Sequence, residues 1–416
     1  MPATHKPLAR QSIVVTGASS GIGLATARKA AKAGAAVLLV ARDETALKAA
    51  ADEIRRAGGR AEVCPADVSS EDEVNRVVDA AAHLLGGFDT WVNDAGVGLY
   101  GDLQDLPTDE HRRMFDVNYW SQVYGSKAAV RYWKAHARMG ALINVGSVLS
   151  DVPVPVLGAY AASKHAVRGF THSLRLELAR DKTPISVTLI KPASIATPFA
   201  RNALNRTGGG ATEPPPLYAP EVVADAILSA AVHPRREIIV GGSGVAQIML
   251  AYHLPGLFEG LAARMSEAFA PKGRPDRSRS SLDRPGAGGH AHGEAHGRPF
   301  SLYTTLRTRP GAAAALALTL VAGGAIAAAL LQPEARRYVE AEAAHAGRRA
   351  RKEAKRLRKR SRKLVRDVRR TGPELQRRAA ALARSVPHEL PPQLGRRIAR
   401  GAERTRASLQ EVLGGR

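Results

Sequence analysis

A tyrosine and a lysine stand four residues apart in a segment that is expected to be helical. Tyr160 and Lys164 occur in the stretch YAASK, and this spacing places both side chains on one face of a helix. A free tyrosine has a pKa of about 10, which is too high for an acid-base catalyst near neutral pH. A neighbouring ammonium group favours the phenolate, so Lys164 is expected to lower the pKa of Tyr160. The pair predicts proton transfer at a substrate oxygen, and an ordinary pair on a helix surface is the alternative.

A serine precedes this pair at the predicted end of a strand. Ser147 lies 13 residues before Tyr160. Its hydroxyl can donate a hydrogen bond to a substrate carbonyl oxygen and stabilise the negative charge that develops there. The three side chains together favour chemistry at a carbonyl or an alcohol over the surface-pair interpretation.

A glycine-rich stretch, TGASSGIG at residues 16–23, lies between a predicted strand and a predicted helix. Its glycines allow a tight turn and a close approach of the backbone to a pyrophosphate. The N-terminus of the following helix offers free N–H groups and a partial positive charge to that pyrophosphate. A tight loop without a ligand is the alternative, but the flanking strand and helix favour a dinucleotide site.

The second predicted strand ends at Ala41, and Arg42 and Asp43 follow it. A carboxylate at this place accepts hydrogen bonds from a free ribose 2′-hydroxyl, whereas an arginine pairs with a 2′-phosphate. Arg42 therefore predicts NADP(H) as the cofactor. NAD(H) is the alternative, because Asp43 is adjacent and could compete.

These motifs resemble those of the short-chain dehydrogenase/reductase family over roughly residues 10–245. The glycine spacing is that of the family's TGxxxGxG fingerprint, the tyrosine and lysine follow its YxxxK pattern, and the serine lies at the family's distance from the tyrosine. The resemblance implies that Asn118, in DVNYW, holds a water in a proton relay to the lysine. The predicted catalytic group is therefore Asn118, Ser147, Tyr160 and Lys164.

The same resemblance implies the residues that contact the cofactor. They are the glycine-rich turn, an adenine contact after the third strand, an NNAG-like motif after the fourth, and a PGxxxT-like motif that touches the nicotinamide after the sixth. The predicted set is Thr16, Gly17, Ser19, Ser20, Gly21, Ile22, Gly23, Arg42, Asp67, Val68, Asn93, Ala95, Gly96, Tyr160, Lys164, Pro192, Ile195 and Thr197.

Two positions depart from the family's pattern. Asp94 stands where NNAG has its second Asn, so a local hydrogen bond is expected to differ. Ala193 stands where PGxxxT has Gly, and a backbone position that needs a positive φ would resist alanine. We expect a modest local adjustment that leaves the site active.

The elements that must position these residues alternate along residues 11–241. Short β-branched runs are followed by Ala-rich segments of helical length, which predicts βαβ units and a parallel sheet covered on both faces. The seven predicted strands span residues 12–16, 36–41, 61–65, 89–93, 141–146, 185–190 and 237–241, and the predicted helices span 21–33, 44–57, 71–85, 111–137 and 160–180. The predicted fold is a Rossmann-like, doubly wound α/β domain over residues 8–245.

Beyond this domain the composition changes. Residues 246–270 are mildly apolar and could form an oligomer edge, a lid over a substrate or a membrane-surface contact. Residues 271–310 are rich in Gly, Pro, Arg, Ser and His, which predicts a disordered linker. His290, His292 and His296 lie in it without a second ligand cluster, so no metal site is expected.

Two segments follow that linker. Residues 311–331 carry no charge and would form a helix about 31 Å long, which predicts a transmembrane or membrane-inserted helix; an Ala-rich helix in water is the alternative. The chain carries a net charge of +23, and residues 334–416 contain 25 Lys and Arg against 9 Asp and Glu. A basic, partly helical tail over 332–416 is therefore expected to bind anionic lipids, with nucleic acid as the less favoured partner.

The sequence thus predicts an NADP(H)-dependent oxidoreductase that interconverts a carbonyl and an alcohol, with Tyr160 as the acid-base group. A small apolar substrate is expected, and homo-oligomerisation is possible. Without an apolar signal segment before residue 12, and with a single cysteine, Cys64, the catalytic domain is expected in the cytosol, associated with a membrane through 311–331. The alternative is a membrane-tethered nucleotide-binding scaffold whose basic tail binds anionic lipid or nucleic acid.

Overall fold

The computed structural model describes residues 5–273 and 279–308, and a seven-stranded sheet lies at its centre. The strands are β1 (Ser12–Thr16), β2 (Ala36–Ala41), β3 (Arg60–Pro65), β4 (Thr90–Asn93), β6 (Gly140–Val145), β7 (Ile185–Pro192) and β9 (Glu237–Val240). All neighbours in this sheet are parallel, and their order is β3-β2-β1-β4-β6-β7-β9. A separate two-stranded ladder joins β5 (Leu99–Tyr100) to β8 (Leu204–Asn205). The predicted Rossmann-like sheet is confirmed.

Helices cover both faces of the sheet. They are α1 (Gly21–Lys32), α2 (Glu44–Arg56), α3 (Glu71–Leu85), α4 (Thr108–Phe115), α5 (Ser121–Ala135), α6 (Gly158–Arg180), α7 (Phe199–Asn202), α8 (Pro220–Val232), α9 (Gly242–His253), α10 (Pro255–Ala263), α11 (Ser266–Phe269) and α12 (Leu302–Thr308). In β1, Ile13 and Val15 pack in one core cluster with α1 and α8, while Val14 packs in the other with α3 and α5. Both faces are thus buried, which is why the strands are continuous apolar runs.

The strand order reverses between β1 and β4. β2 and β3 extend the sheet on one side of this point, and β6, β7 and β9 extend it on the other. In sheets of this kind the crevice at the carboxyl ends of the strands beside the reversal is where ligands bind. The turns that follow β1, β4 and β6, together with the start of α1, carry many of the predicted site residues.

The predicted helix over residues 111–137 is divided in the structure. A wide turn of π type, Asp116–Trp120, separates α4 from α5. Such turns insert a residue into the helical ladder and are frequent at functional sites. Helical periodicity in the sequence did not reveal this π turn, which contains Asn118.

Residues 246–270 form most of α9 and all of α10 and α11. Leu250, Phe258 and Phe269 from these helices line the large cavity described below. These helices thus form one wall of that cavity, and the three alternatives named from the sequence stay predictions.

The expectation of a disordered linker over 271–310 does not hold for residues 279–308. We call residues 279–300 the strap, because they cross the carboxyl edge of the sheet, and α12 then packs on α8 and β9. Leu282 in the strap is only 1% exposed. The strap's glycines permit this packing: a Cβ at Gly293 would lie 2.5 Å from the Thr197 carbonyl oxygen, and one at Gly297 would lie 2.6 Å from the Tyr218 backbone. The Gly-rich composition of the strap, which is typical of disordered segments, here allows its backbone to contact the rest of the domain closely.

Across residues 5–273 and 279–308, every helix is too short or too polar to span a bilayer. The candidate membrane helix at 311–331 and the basic tail at 332–416 lie outside the described residues.

Candidate active site

A single cavity of about 550 Å³ contains most of the predicted site residues. It runs from Arg42 and Asp67, past the glycine-rich turn, to Ser147 and Tyr160, and ends among side chains of α9–α11. Its position is the carboxyl edge of the sheet beside the strand reversal. One continuous space can therefore hold a long cofactor at one end and a substrate at the other.

The glycine-rich turn has the shape of a phosphate cradle. Gly17 and Gly21 have φ angles of 72° and 56°, which favour glycine. A Cβ at Gly23 would lie 2.4 Å from the Gly17 carbonyl oxygen, so only glycine lets the start of α1 pack this closely on the turn. The N-cap residue Ser20 makes no side-chain capping bond. The Gly21 N–H at the start of α1 donates to the His290 carbonyl at 3.0 Å, and the turn otherwise has the shape that binds a dinucleotide pyrophosphate.

Four of the predicted residues lie behind the cavity wall. Thr16 accepts hydrogen bonds from the backbone N–H groups of Asp94 (3.0 Å) and Ala95 (3.2 Å), which joins the ends of β1 and β4. Asn93 is 2% exposed and donates to Asn144 at 2.8 Å. Thr16, Gly23, Asn93 and Asn118 are thus placed to shape the site, whereas the remaining predicted residues line the cavity.

The structure brings the four predicted catalytic residues together. The Lys164 ammonium group lies 5.7 Å from the centre of the Tyr160 ring and donates to the Val145 carbonyl at 3.0 Å. The Ser147 hydroxyl lies close to the Tyr160 phenol and lowers its pKa, and the Ser147 oxygen accepts from the Leu149 N–H at 3.0 Å. The Asn118 side-chain amide accepts from the Val97 N–H at 2.8 Å and donates to the Val97 carbonyl at 3.0 Å. Asn118 therefore fixes the loop after β4 against the π turn.

Burial sets the ionisation of the tyrosine and the lysine. It raises the pKa of the Tyr160 phenol well above its usual value, and the neighbouring Glu213 raises it further. It lowers the pKa of Lys164 to about 8, while Asp94 acts in the opposite direction. The expected lowering of the Tyr160 pKa is thus not found, because desolvation and the nearby Glu213 and Asp94 carboxyl groups all raise it. Tyr160 is a neutral phenol that can donate a proton.

Asp94, the departure from the NNAG pattern, lies beneath the glycine-rich turn. A Cβ at Gly23 would come within 2.9 Å of its Oδ2 atom. Burial raises the pKa of Asp94 to about 7, although Lys164 and the Gly23 amide lower it. The substitution of Asn by Asp therefore adds a titratable group close to the predicted catalytic lysine.

Glu213 is a site residue that the sequence analysis missed. Its Oε2 atom accepts a hydrogen bond from the Ile195 N–H at 2.9 Å, and its side chain lines the cavity. Burial raises the pKa of this carboxyl to about 8. No motif marks Glu213 in the sequence, where it stands in a Pro-rich loop between β8 and α8.

Arg42 and Asp43, the two residues after β2, make different contacts. Asp43 caps α2, because its Oδ1 atom accepts from the Ala46 N–H at 2.9 Å. Arg42 lines the cavity and donates to the strap carbonyls of Ser281 (2.5 Å), Leu282 (3.3 Å) and Arg284 (2.9 Å). The capping bond uses one oxygen, Oδ1, of the carboxylate that could have favoured a free ribose 2′-hydroxyl.

The raised pKa of Glu213 makes stability depend on pH. A carboxyl whose pKa is raised from 4.5 to about 8 on folding destabilises the protein as the pH rises from below 4.5 through 8. We expect Glu213→Gln, which keeps an acceptor for Ile195, to be more stable than the wild type at pH 8.5 by on the order of 2–4 kcal/mol. Thermal unfolding of the ligand-free proteins at pH 5.0 and 8.5 measures this. A difference that does not grow with pH would contradict the assignment.

Comparisons with known proteins identify the family of this chain. The model of the short chain dehydrogenase family matches residues 11–207. The chain is 42% identical over 325 residues to the uncharacterized oxidoreductase YxnA of Bacillus subtilis, covering 77% of this chain and 91% of that protein. It is 35% identical over 205 residues to 1-deoxy-11-beta-hydroxypentalenate dehydrogenase of Streptomyces exfoliatus, covering 49% of this chain and 74% of that protein.

A solved structure shows the same architecture. It is a short chain dehydrogenase/reductase from Burkholderia phymatum in complex with NAD, 26% identical, with a TM-score of 0.55. The match covers 61% of this chain and 96% of that one.

Proposed function

The chain belongs to the short-chain dehydrogenase/reductase family and is an oxidoreductase, and from this premise we propose that it interconverts a carbonyl and an alcohol with NADP(H). The observation that carries the proposal is the wall formed by Ser147, Tyr160 and Lys164, which faces the same cavity as the glycine-rich turn. A nicotinamide dinucleotide bound there supplies the hydride or accepts it.

The residues of this wall supply the proton chemistry. In reduction, the Ser147 hydroxyl donates a hydrogen bond to the substrate carbonyl oxygen and holds it beside Tyr160. The neutral Tyr160 phenol then gives its proton to the oxygen as negative charge develops on it. Lys164, held by the Val145 carbonyl, stabilises the phenolate that remains. In oxidation the same groups act in reverse.

Asn118 and Asp94 support this chemistry from behind the wall. The Asn118 amide holds the loop after β4, which carries Gly96 close to the Lys164 ammonium group. The carboxyl of Asp94 favours the charged form of that ammonium group. Ile195 and Thr197 line the cavity beside Pro192, where the nicotinamide would contact the backbone after β7.

The cofactor preference is proposed from Arg42. The guanidinium group has five N–H donors, and the strap carbonyls use three of them, which leaves donors for a 2′-phosphate. We expect Arg42→Leu to lower kcat/KM for NADPH by about 10–100-fold more than that for NADH, because the loss of the strap contacts affects both cofactors alike. Steady-state kinetics with both cofactors measures this, and Arg55→Leu, an exposed arginine on α2, is the control. An equal loss with both cofactors would contradict a 2′-phosphate contact.

The substrate end of the cavity favours a small apolar molecule. Its wall is formed by aliphatic and aromatic side chains, namely Tyr100, Leu149, Leu157, Leu250, Phe258, Leu261, Met265 and Phe269. Such a surface contributes affinity in proportion to the apolar area that it removes from water.

The proposal is tested by measuring NADPH consumption by the purified chain with ketones and aldehydes of increasing apolar size. We expect kcat/KM to rise with apolar size among carbonyl compounds that fit the cavity. Tight NADPH binding without turnover of any carbonyl compound would overturn the proposal and favour the nucleotide-binding scaffold.

A further inference from the structure

Glu213 places one carboxyl group in the apolar end of the cavity. Its Oε2 atom is held by the Ile195 N–H, and its Oε1 atom has no hydrogen-bond partner among residues 5–273 and 279–308. Arg42 and Lys164 are the only cations among the described cavity residues, and neither forms an ion pair with Glu213. An oxygen atom that faces an apolar cavity without a partner is free to bind a ligand.

The position of this carboxyl places it near the reacting group. Glu213 is close enough to Tyr160 and Tyr100 to raise the pKa of both phenols. Glu213 is partly exposed, so a ligand in the cavity can reach its Oε1 atom. The carboxyl is about half neutral near pH 8 and mostly neutral at pH 7, since its pKa is raised to about 8. A neutral carboxyl both donates and accepts hydrogen bonds, which matches a hydroxyl group.

We propose that Glu213 binds a hydroxyl group of the substrate, so that the enzyme prefers apolar carbonyl compounds that carry a second oxygen as a hydroxyl. The reverse reaction would then act on the corresponding diols. This inference rests on the proposed reductase function and names its substrate class.

Matched pairs of cyclic ketones, with and without a ring hydroxyl, test the proposal at pH 7 with NADPH. The quantity measured is the ratio of kcat/KM for the hydroxylated ketone to that for the plain ketone. We expect this ratio to exceed about 10 in the best pair for the wild type and to fall at least about tenfold in Glu213→Leu. Glu213→Gln, which can still donate and accept, is expected to keep most of the preference. Glu177→Leu, at an exposed position on α6, is the control.

The outcomes separate this proposal from the proposed function. Turnover of plain ketones with a ratio that is the same in wild type and Glu213→Leu would overturn the role of Glu213 and leave the reductase function standing. No turnover of any ketone by the wild type would count against the reductase function itself. If Glu213→Leu does not fold, the test uses Glu213→Gln and, in the wild type, a series of ketones with the hydroxyl at different ring positions. The absence of any preference for a hydroxylated ketone in the wild type contradicts the proposal.

A second and independent observation concerns the strap, which bonds directly to the predicted cofactor residues. The Gly289 N–H donates to the Ser19 carbonyl at 2.8 Å, and the Gly21 N–H donates to the His290 carbonyl at 3.0 Å. Arg42 holds three further carbonyls of the strap, as described above. Ser281, Pro285 and Gly286 form part of the cavity wall, and the cavity remains open beneath them. The strap therefore covers the cofactor end without filling it.

We infer that the strap encloses the bound dinucleotide, so that the cofactor leaves only when the strap opens and exchanges slowly between turnovers. The match to YxnA spans 77% of this chain and therefore extends across residues 279–308 wherever it begins. Leu282, packed with Val97, Leu106 and Met114, anchors one end of the strap.

Displacing the strap tests this inference. A Cβ at Gly288 would lie 2.6 Å from the Ala46 Cβ atom and 2.8 Å from the Asp43 carboxylate, so Gly288→Val should push the strap away from α2. We expect Gly288→Val and Leu282→Ser each to raise the NADPH dissociation rate at least about tenfold, measured by the fluorescence change on chasing with excess NADP⁺. Gly169→Ala, a glycine of α6 with open space around it, is the matched control.

Two results would overturn the enclosure. An unchanged dissociation rate in both variants would show that the strap does not limit exchange. Tighter NADPH binding in the variants would show that the strap competes with the cofactor. Protection of the exposed Arg279–Ser280 peptide bond from trypsin by NADPH in the wild-type chain is a second readout that the enclosure predicts, and it does not depend on the variants' stability.

Discussion

Tyr160→Phe is expected to lower kcat for carbonyl reduction by about 10³-fold or more, while NADPH binding changes less than about threefold. The substitution removes one oxygen atom, the only atom of this side chain that can give a proton to the substrate. The ring stays in place because it packs on Phe199, with ring centres 5.3 Å apart. Loss of the proton donor thus acts on the chemical step and leaves the cofactor site intact.

Stopped-flow measurement of hydride transfer, together with NADPH titration by fluorescence, separates the two effects. Tyr252→Phe, which removes a hydroxyl from a residue that is 57% exposed on α9, is the control and should retain full activity. A Tyr160→Phe enzyme with more than about a third of the wild-type kcat would contradict the assignment of Tyr160 as the proton donor.

Lys164→Met is expected to lower kcat/KM by about 10²–10³-fold and to change the shape of the pH profile. The wild-type ammonium group loses its proton as the pH rises through about 8, because burial has lowered its pKa from 10.5. Activity that needs the charged form should therefore decline above pH 8. In Lys164→Met that decline should be absent, since no group titrates at this position.

Profiles of kcat between pH 6 and 9.5 in wild type and variant measure this difference. Lys48→Met, at a position where the side chain is 63% exposed, is the control for the loss of a positive charge. The same alkaline decline in both wild type and Lys164→Met would assign it to another group, such as Glu213. A variant with wild-type kcat/KM would contradict a role for the lysine in the reaction.

Local patterns in the sequence predicted much of the fold and many of the site's members. Each of the seven predicted strands overlaps a strand of the sheet, because a parallel strand buried on both faces must be a continuous apolar run. The turn at residues 16–23 and the YxxxK pair were visible because their chemistry depends on spacing within one segment. Their catalytic and cofactor roles remain predictions that the experiments above address.

Contacts between distant segments could not be predicted in the same way. Glu213 reaches Ile195 across 18 residues of irregular chain, and the strap meets Arg42 about 240 residues away in sequence. The strap was taken for a disordered linker because glycine-rich composition is shared by chains that cannot pack and by chains that pack unusually closely. Which of the two applies depends on the surface that the segment meets.

The pKa of Tyr160 also depends on both a feature that the sequence shows and a feature that only the structure shows. The pairing of a tyrosine with a lysine was readable from their spacing, and it favours the phenolate. The depth of burial was not readable, and in the folded protein it raises the pKa of Tyr160 and lowers that of Lys164. The sequence by itself therefore determined which residues meet on a helix face and beside a nucleotide turn. Only the tertiary structure decided how far each is removed from water, because desolvation is set by everything that packs around a group.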